Sequence, residues 1–287
     1  MIRTAVLAFL TLSILSIHTA AQNAGKAAEI YNQALELQQA GDSQRALAAY
    51  DRAIALNPTM LDAYNNRATM KLAAGDSAGA IADLTKVIEL SPKHPLSFYN
   101  RGCIYLDMQN MDAAIADFSK ALEIFSGITH GEYDKKAHAM SYNNRGNALM
   151  SKNKAKDALA DYEMSLTIIP GSLEALTGRG TAKQVLEDYR GAVADYSKAL
   201  EIAPKSAIVL MNRAGALEQI DKTAAVNDYT RVIELQPENA QAYAARGVAL
   251  LQLGKKPAAV ADLRKALQMD PSLRADYEPH LKEALKK

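Results

Sequence analysis

The side chains that most often catalyse reactions or bind metals are scattered in this sequence. The best candidate group is the segment THGEYDKKAH, where Asp134 and His138 are four residues apart and His130 and Glu132 lie nearby. Residues at that spacing share one face of a helix, but two ligands do not complete a metal site. A solvated helical extension is therefore the preferred interpretation. The chain has no Gly-rich phosphate loop, CxxC or HExxH motif, so we expect no enzyme activity, no cofactor and no metal.

Cys103 is the only cysteine, so no internal disulfide can form and stability must come from packing. Its thiol could be reactive. A small apolar role is favoured, because free cysteines usually behave as small hydrophobic residues.

Arginine and aspartate form the most regular chemical pattern. Six arginines are each followed by an aspartate 15 or 16 residues later: Arg67 and Asp83, Arg101 and Asp117, Arg145 and Asp161, Arg179 and Asp195, Arg213 and Asp228, Arg246 and Asp262. The equivalent places nearest the N-terminus carry neither, since Gln33 and Ala49 stand there. Because the arginine and the aspartate are present together in six places and absent together in one, we predict that they meet as buried ion pairs. A ligand-binding row of arginines is the alternative.

The spacing of the prolines reveals an internal repeat. The intervals 58 to 92, 170 to 204 and 237 to 271 are each 34 residues, a period that indicates a solenoid of repeated helix pairs. The predicted division is 22–26 as a short N-terminal segment, then seven units at 27–60, 61–94, 95–128, 139–172, 173–206, 207–239 and 240–273, with an insertion at 129–138. Residues 274–287 begin another repeat without completing it, so they should form a helix that caps the stack.

Small side chains mark where the two helices of a unit, A and B, approach each other. Position 8 of each unit is Ala or Gly and position 20 is always Ala, which predicts the crossing point. Position 24 supplies a bulky residue. Gly41, Gly75 and Gly254 fall at the predicted turn between the helices.

Segments such as YNNRATMKLAAGDSAGAIADLTKVIELSP resemble the tetratricopeptide repeat, and the resemblance covers residues 27–273. It implies an all-α, right-handed superhelical solenoid that binds other proteins, with the A helices lining a concave groove. Two features depart from the family pattern. Position 4 lacks the frequent Trp, and position 7, usually apolar, is Arg in most units.

The resemblance further implies that positions 2, 5, 6, 9, 12 and 13 line the groove. None of these positions carries Lys or Arg, which excludes the mode in which some family members clamp carboxylates. Position 6 is Asn in five units, and an amide can bond both the N–H and the C=O groups of a peptide. The predicted peptide-binding residues are Asn32, Asn66, Asn100, Asn144, Asn212, Tyr31, Asn65, Tyr99, Asn143 and Asn147. The alternative is that Asn is simply common at position 6.

Residues 1–21 differ from the rest of the chain. Arg3 is followed by an apolar stretch at 5–17 and by small residues at 19–21, the pattern of a signal peptide cleaved near Ala21. The 13 apolar residues are short against the roughly 20 that span a bilayer. Without Arg3 the mature chain has equal numbers of acidic and basic residues, with no basic cluster. We expect a periplasmic or secreted protein that binds no nucleic acid and does not insert into a membrane.

Together these patterns predict a non-enzymatic interaction module or adaptor that acts outside the cytoplasm. Its expected partner is an extended protein or peptide segment without strong negative charge, held in the concave groove. A second hypothesis is a structural assembly factor of an envelope or secretion complex, which would dock through the outer face or the ends of the solenoid.

Overall fold

A computed structural model of the chain describes the backbone of residues 2–127 and 132–286 and the side chains of residues 21–127 and 135–286. The described residues form helices and short turns, with no strand among them. The α-helices are α1 (Ile2–Gln39), α2 (Ser43–Leu56), α3 (Leu61–Ala73), α4 (Ser77–Leu90), α5 (Pro95–Asp107), α6 (Met111–Phe125), α7 (Glu132–Ser151), α8 (Ala155–Ile168), α9 (Leu173–Val185), α10 (Tyr189–Ile202), α11 (Ala207–Leu217), α12 (Lys222–Leu235), α13 (Ala240–Gln252), α14 (Lys256–Met269) and α15 (Arg274–Ala284).

The chain divides into two compact units, Met1–Thr129 and His130–Lys287. In the first unit α1 packs against α2, α3 against α4 and α5 against α6. In the second, the pairs α7 with α8, α9 with α10, α11 with α12 and α13 with α14 follow each other, and α15 packs on α14. This repeated helix-turn-helix arrangement confirms the all-α fold class. The odd-numbered helices α1 to α13 are called the A helices and the even-numbered helices the B helices.

The small residues of position 8 lie where an A helix crosses its B helix. A Cβ atom placed on Gly102 would lie 2.9 Å from the Phe118 ring, and one on Gly180 would lie 2.7 Å from the Tyr196 ring. Those rings are fully buried. The crossing predicted from the sequence is therefore confirmed, because only a small residue leaves room for the bulky side chain of position 24.

Six of the seven turns between A and B helices contain a residue with a left-handed backbone. Gly41, Gly75 and Gly254 have φ values of 80°, 83° and 73°, while Gln109, Asn153 and Glu187 adopt φ near 60° at the same place in other pairs. Left-handed φ is unfavourable for residues that carry a Cβ, so glycine suits this position best. After most of these turns an Asp or Asn accepts a hydrogen bond from the first turn of the B helix, as Asp188 does from Gly191 N–H.

Replacing Glu187 with glycine should therefore stabilise the protein. Glu187 is exposed and has φ of 63°, so Glu187→Gly relieves strain without removing a contact. We expect the free energy of unfolding to rise by about 0.5–1 kcal/mol, measured by guanidinium denaturation. The matched control is Glu201→Gly, an exposed residue inside α10, which should lower stability by about 1 kcal/mol. A loss of stability at both positions would contradict the strain argument.

One sequence motif lies at the turn between α3 and α4. The segment Gly75–Gly79, GDSAG, has the G-x-S-x-G spacing of a serine nucleophile at a strand-to-helix turn. Here it joins two helices, and the side chain of Asp76 accepts a hydrogen bond from Gly79 N–H at 2.8 Å to cap α4. The motif is thus a helix cap, since the strand that holds such a nucleophile is replaced by α3.

The ends of the array and the insertion complete the fold. The A helix α7 begins at Glu132, so part of the 129–138 insertion extends this helix, as predicted; His130 lies outside the described residues, as do the side chains of Glu132 and Asp134. The backbone of α1 is helical from Ile2, but side chains before residue 21 lie outside the described part, and the signal peptide stays a prediction. Within the described residues no helix is long and apolar enough to cross a membrane.

Candidate functional site

The side of the A helices that carries positions 2, 5, 6, 9, 12 and 13 is called the A-face, and it is described within each compact unit separately. In three of the position-6 asparagines the side-chain amide makes no hydrogen bond to another described residue. These are Asn32 and Asn100, both exposed, and Asn212, half-buried. In the second compact unit, apolar side chains at other A-face positions are exposed, among them Ile208, Val185 and Met140. This face thus offers amide groups beside apolar surface, a combination suited to a peptide backbone and its side chains.

The other two position-6 asparagines are already hydrogen-bonded within the protein. Asn66 Nδ2 donates to the Tyr31 hydroxyl at 2.9 Å, which joins neighbouring A helices. Asn144 Oδ1 accepts a hydrogen bond from Asn143 Nδ2 at 3.2 Å. Both asparagines are half-buried. The amides of the predicted row are therefore not equivalent, because part of it stabilises the A-face itself.

The two tyrosines predicted for the site are half-buried and pack on the crossing residues of position 24. The Tyr31 ring lies 5.9 Å from that of Tyr50, and the Tyr99 ring lies 6.1 Å from that of Phe118. Burial raises the pKa of Tyr31, and the nearby Asp62 carboxylate raises it further. Tyr31 is thus a neutral hydroxyl group, able to accept from Asn66 and still to donate.

Asn147 is also hydrogen-bonded within the protein. Its Oδ1 accepts a hydrogen bond from the Tyr162 hydroxyl at 2.7 Å. A similar bond is present in the other units where position 24 is Tyr, but there the acceptor is at position 12: Tyr50 donates to Gln38, Tyr196 to Gln184 and Tyr229 to Glu218. Asn147 instead stands at position 9, because position 12 of its unit is Met150. Where position 24 is Leu or Phe, position 12 is Leu72, Leu106 or Leu251. This correlation between positions 12 and 24 is visible in the sequence. It indicates that these polar side chains accept hydrogen bonds from the hydroxyl groups of buried tyrosines.

The break in the asparagine row at Gly178 has a steric cause. A Cβ atom on Gly178 would lie 2.5 Å from the ring of Tyr162, which belongs to the preceding helix pair. An asparagine cannot occupy this place unless the ring moves. The row is therefore interrupted by packing between neighbouring helix pairs.

Two cavities open on the A-face of the second compact unit. One, of about 470 Å³, is lined by Asn212 with residues that include Gln184 and Gln219. The other, of about 310 Å³, is lined by Asn143 and Asn144 from α7, by Ile169 and by Glu174 from α9, and by Lys136. Lys136 corrects the expectation of a lining without cations. It lies on the helical extension supplied by the insertion, outside the positions that the repeat pattern assigns to the groove.

The six predicted arginine–aspartate pairs are all present. In each, Nε and Nη2 of the arginine donate to the two carboxylate oxygens, as in Arg145 with Asp161 at 2.8 and 2.7 Å. The aspartates are between 2% and 8% exposed. The interpretation as buried ion pairs is confirmed, and these arginines are committed to packing, since both oxygens of each partner are bound.

Four of the six arginines also bond to the preceding helix pair. Nη1 donates to an oxygen 16 residues earlier on the previous B helix: Arg67 to Asp51, Arg101 to Thr85, Arg213 to Ser197 and Arg246 to Thr230. The ion pairs and these bonds together form what is called the arginine ladder. Burial alone raises the pKa of Asp195, but hydrogen bonds from Arg179 and Lys183 outweigh it and leave the pKa below its ordinary value. The ladder carboxylate thus stays charged.

Helix pairs that repeat with the same internal contacts define a helical repeat protein. Sequence models described as tetratricopeptide repeat match residues 31–95 and 216–273, residues 95–127 and residues 138–169. Together these matches cover more than half of the chain, which therefore belongs to the tetratricopeptide repeat family. Its fold is that of protein–protein interaction modules, and the matching models indicate no catalytic family. No curated relative matches the chain by sequence.

Solved structures share the fold at low identity. A tetratricopeptide repeat protein from Parabacteroides merdae ATCC 43184 is 18% identical with a TM-score of 0.61, and the match covers 91% of this chain and 99% of that one. YrrB, described as a TPR protein with an unusual peptide-binding site, is 20% identical with a TM-score of 0.57, covering 68% and 95%. MamA is 23% identical with a TM-score of 0.55, covering 64% and 95%. At these identities the likeness concerns the fold.

Proposed function

We propose that this protein is an exported adaptor that binds an extended polypeptide segment along its A-face. The observation that carries the proposal is the recurrence of amides on A helices within each compact unit, of which Asn32, Asn100 and Asn212 are not used within the described part of the protein. An amide both donates and accepts, so it can bond a peptide backbone irrespective of sequence. Ile208, which is 72% exposed, provides apolar surface near Asn212 on the same helix.

The charge of the A-face favours a partner without strong negative charge. The arginines of the ladder are paired with buried aspartates, which leaves Lys136 as a cation in the cavity lining, with Glu174 lining the same cavity. Asp62 and Glu174 are exposed acids on the A helices. Such a face has no concentration of positive charge to attract an acidic segment. YrrB, which shares the fold, is described as having a peptide-binding site, and this supports a peptide as partner here.

Site-directed photo-crosslinking tests where the partner binds. A photoreactive amino acid would replace Asn32, Asn100 or Gln219 on the A-face, or Lys198 or Glu201 on the exposed side of the B helix α10. The modified proteins are then irradiated in cells and the adducts identified by mass spectrometry. We expect one polypeptide to be captured from the A-face positions and not from α10. Capture from α10 alone would reject the adaptor proposal and favour an assembly factor that docks through its outer face.

Export is part of the same proposal, supported by the charged, apolar and small-residue zones of residues 1–21. We expect mass spectrometry of the protein purified from its native cell to find Gln22 at the N-terminus. The control is the same chain with Arg3 and Leu7 both changed to Asp. It should keep residues 2–21, with or without Met1. An unprocessed native protein retained in the cytoplasm would contradict export.

A further inference from the structure

The larger cavity of the A-face, of about 470 Å³, is lined by three carboxamide side chains. Gln184 comes from α9, Asn212 from α11, and Gln219 from the turn that follows α11. None of the described residues that line this cavity is charged, whereas Lys136 and Glu174 line the smaller one. The larger cavity is therefore a neutral site that is rich in hydrogen-bonding groups.

The Gln184 amide is oriented by a hydrogen bond within the protein. The Tyr196 hydroxyl donates to its Oε1 at 3.2 Å, so the Nε2 end of the amide is left for other partners. Nε2 reaches α11, where a Cβ atom placed on Gly215 would lie 3.4 Å from it. Among the described residues Nε2 has no acceptor, and it is not one of the fully buried polar atoms. Its N–H groups are thus available beside Gly215, which also lines the cavity.

Gly215 leaves open the space next to these amides. It stands at position 9, where the other six units carry Leu, Thr, Cys, Asn, Thr and Val. Asn212 is half-buried and Gln219 is exposed, and neither side-chain amide bonds to another described residue. The glycine therefore leaves room for a bound group between the Gln184 amide and the amides of Asn212 and Gln219.

The chemistry of this lining selects an uncharged polar group. A carboxamide donates and accepts hydrogen bonds but carries no charge, so a charged ligand would lose water without gaining a counter-charge. An apolar ligand would cover the amides without bonding to them, which is also unfavourable. A second carboxamide is complementary, because it offers both an acceptor and donors. Val185, which is 59% exposed, lines the same cavity and provides apolar surface for the methylenes that carry such a group.

We propose that this cavity is a specificity pocket for a glutamine side chain of the bound polypeptide. The glutamine oxygen accepts from Gln184 Nε2, and its NH2 group donates to the Asn212 amide oxygen. The inference rests on the proposed function, because it places the glutamine on the A-face along which the segment would lie. It adds a preference in sequence to a surface whose other amides bond any backbone. Glutamine is preferred to asparagine because its additional methylene extends the contact with Val185.

Four blocked peptides provide the probes. They are Ac-Gly-Ser-Gly-Xaa-Gly-Ser-Gly-NHCH3 with glutamine, glutamate, methionine or glycine at the centre, and the methylamide end avoids a second primary carboxamide. Each is titrated into the ¹⁵N-labelled protein, and NMR follows the side-chain NH2 signals of Gln184, Asn212 and Gln219. The glutamine peptide should shift these signals. Glutamate and methionine have nearly the same size but should bind about threefold to tenfold more weakly, and glycine should bind weakest.

Two variants and their matched controls test the roles of the lining. Gln219→Lys adds a cation, so the glutamate peptide should then bind more tightly than the glutamine peptide. Gln252→Lys is the control, because Gln252 is exposed at the same repeat position in the next unit and lies outside the lining, so the wild-type order should persist. Asn212→Ala should weaken binding of the glutamine peptide about threefold to tenfold. Asn32→Ala, at the same repeat position in the first compact unit, should not.

The outcomes distinguish this inference from the proposed function. Equal binding of the glutamine, glutamate and methionine peptides to the wild-type protein would overturn the specificity pocket. So would unshifted NH2 signals of Gln184 and Asn212 at millimolar glutamine peptide. Shifts at Asn32 and Asn100 that are alike for all four peptides would reject the pocket and leave the A-face as the binding surface. Shifts on the exposed side of the B helices alone would count against both.

Discussion

Arg145→Met should lower the free energy of unfolding by roughly 3–5 kcal/mol, because it leaves Asp161 buried without its partner. Asp161 is 4% exposed, and both of its carboxylate oxygens are bound by the Arg145 guanidinium. The arginine also lies over the Tyr142 ring, 5.6 Å from its centre, so some packing is lost as well. The measurement is guanidinium denaturation followed by circular dichroism.

Adding Asp161→Leu to Arg145→Met should restore much of the lost stability. A matched apolar pair can replace a buried ion pair, since no charge then remains without a partner. In a double-mutant cycle the two changes should therefore be strongly non-additive. The control is Arg45→Met, which removes an exposed ion pair to Asp42, with Arg45 75% exposed, and should cost no more than about 1 kcal/mol. Additive losses at Arg145 and Asp161 would show that the pair is not coupled.

The arginine ladder shows how far the sequence could predict this structure. The joint presence of Arg and Asp was enough to predict a pair, because each residue recurs at a fixed place in the period. The bond from Nη1 to the preceding pair was not predicted. Its acceptors Asp51, Thr85, Ser197 and Thr230 share only a side-chain oxygen, so they show no conserved residue type along the repeat. Contacts between repeats depend on the angles at which neighbouring helix pairs pack, and the repeat pattern of the sequence does not specify these angles.

The candidate site could be predicted less completely from the sequence than the arginine ladder. The repeat pattern placed asparagines on the A helices, but it could not tell an amide that is used inside the protein from one that is not. That difference depends on side-chain geometry, as between Asn66, which donates to Tyr31, and exposed Asn100. Lys136 was missed because it lies before the first position of its unit, on the part of α7 that the insertion adds.

Changing Asn32, Asn100 and Asn212 together to alanine should weaken binding of the partner captured by crosslinking by about tenfold to a thousandfold. Each amide contributes a hydrogen bond to the peptide, and a lost bond costs about 0.5–1.5 kcal/mol. The melting temperature should hardly change, because these three side chains make no hydrogen bond to another described residue. Binding is measured by calorimetry with the purified partner.

The matched control is the triple change of Gln44, Asn227 and Gln268 to alanine, which removes three exposed amides from the B helices. It should leave both affinity and melting temperature unchanged if the partner lies on the A-face. Binding should also depend only weakly on salt, because no cluster of like charges borders the three asparagines and screening acts on exposed charges. If the asparagine variant binds as tightly as the wild type while the control variant binds weakly, the partner contacts the B helices. The assembly-factor hypothesis would then be favoured, because that hypothesis places docking away from the A-face.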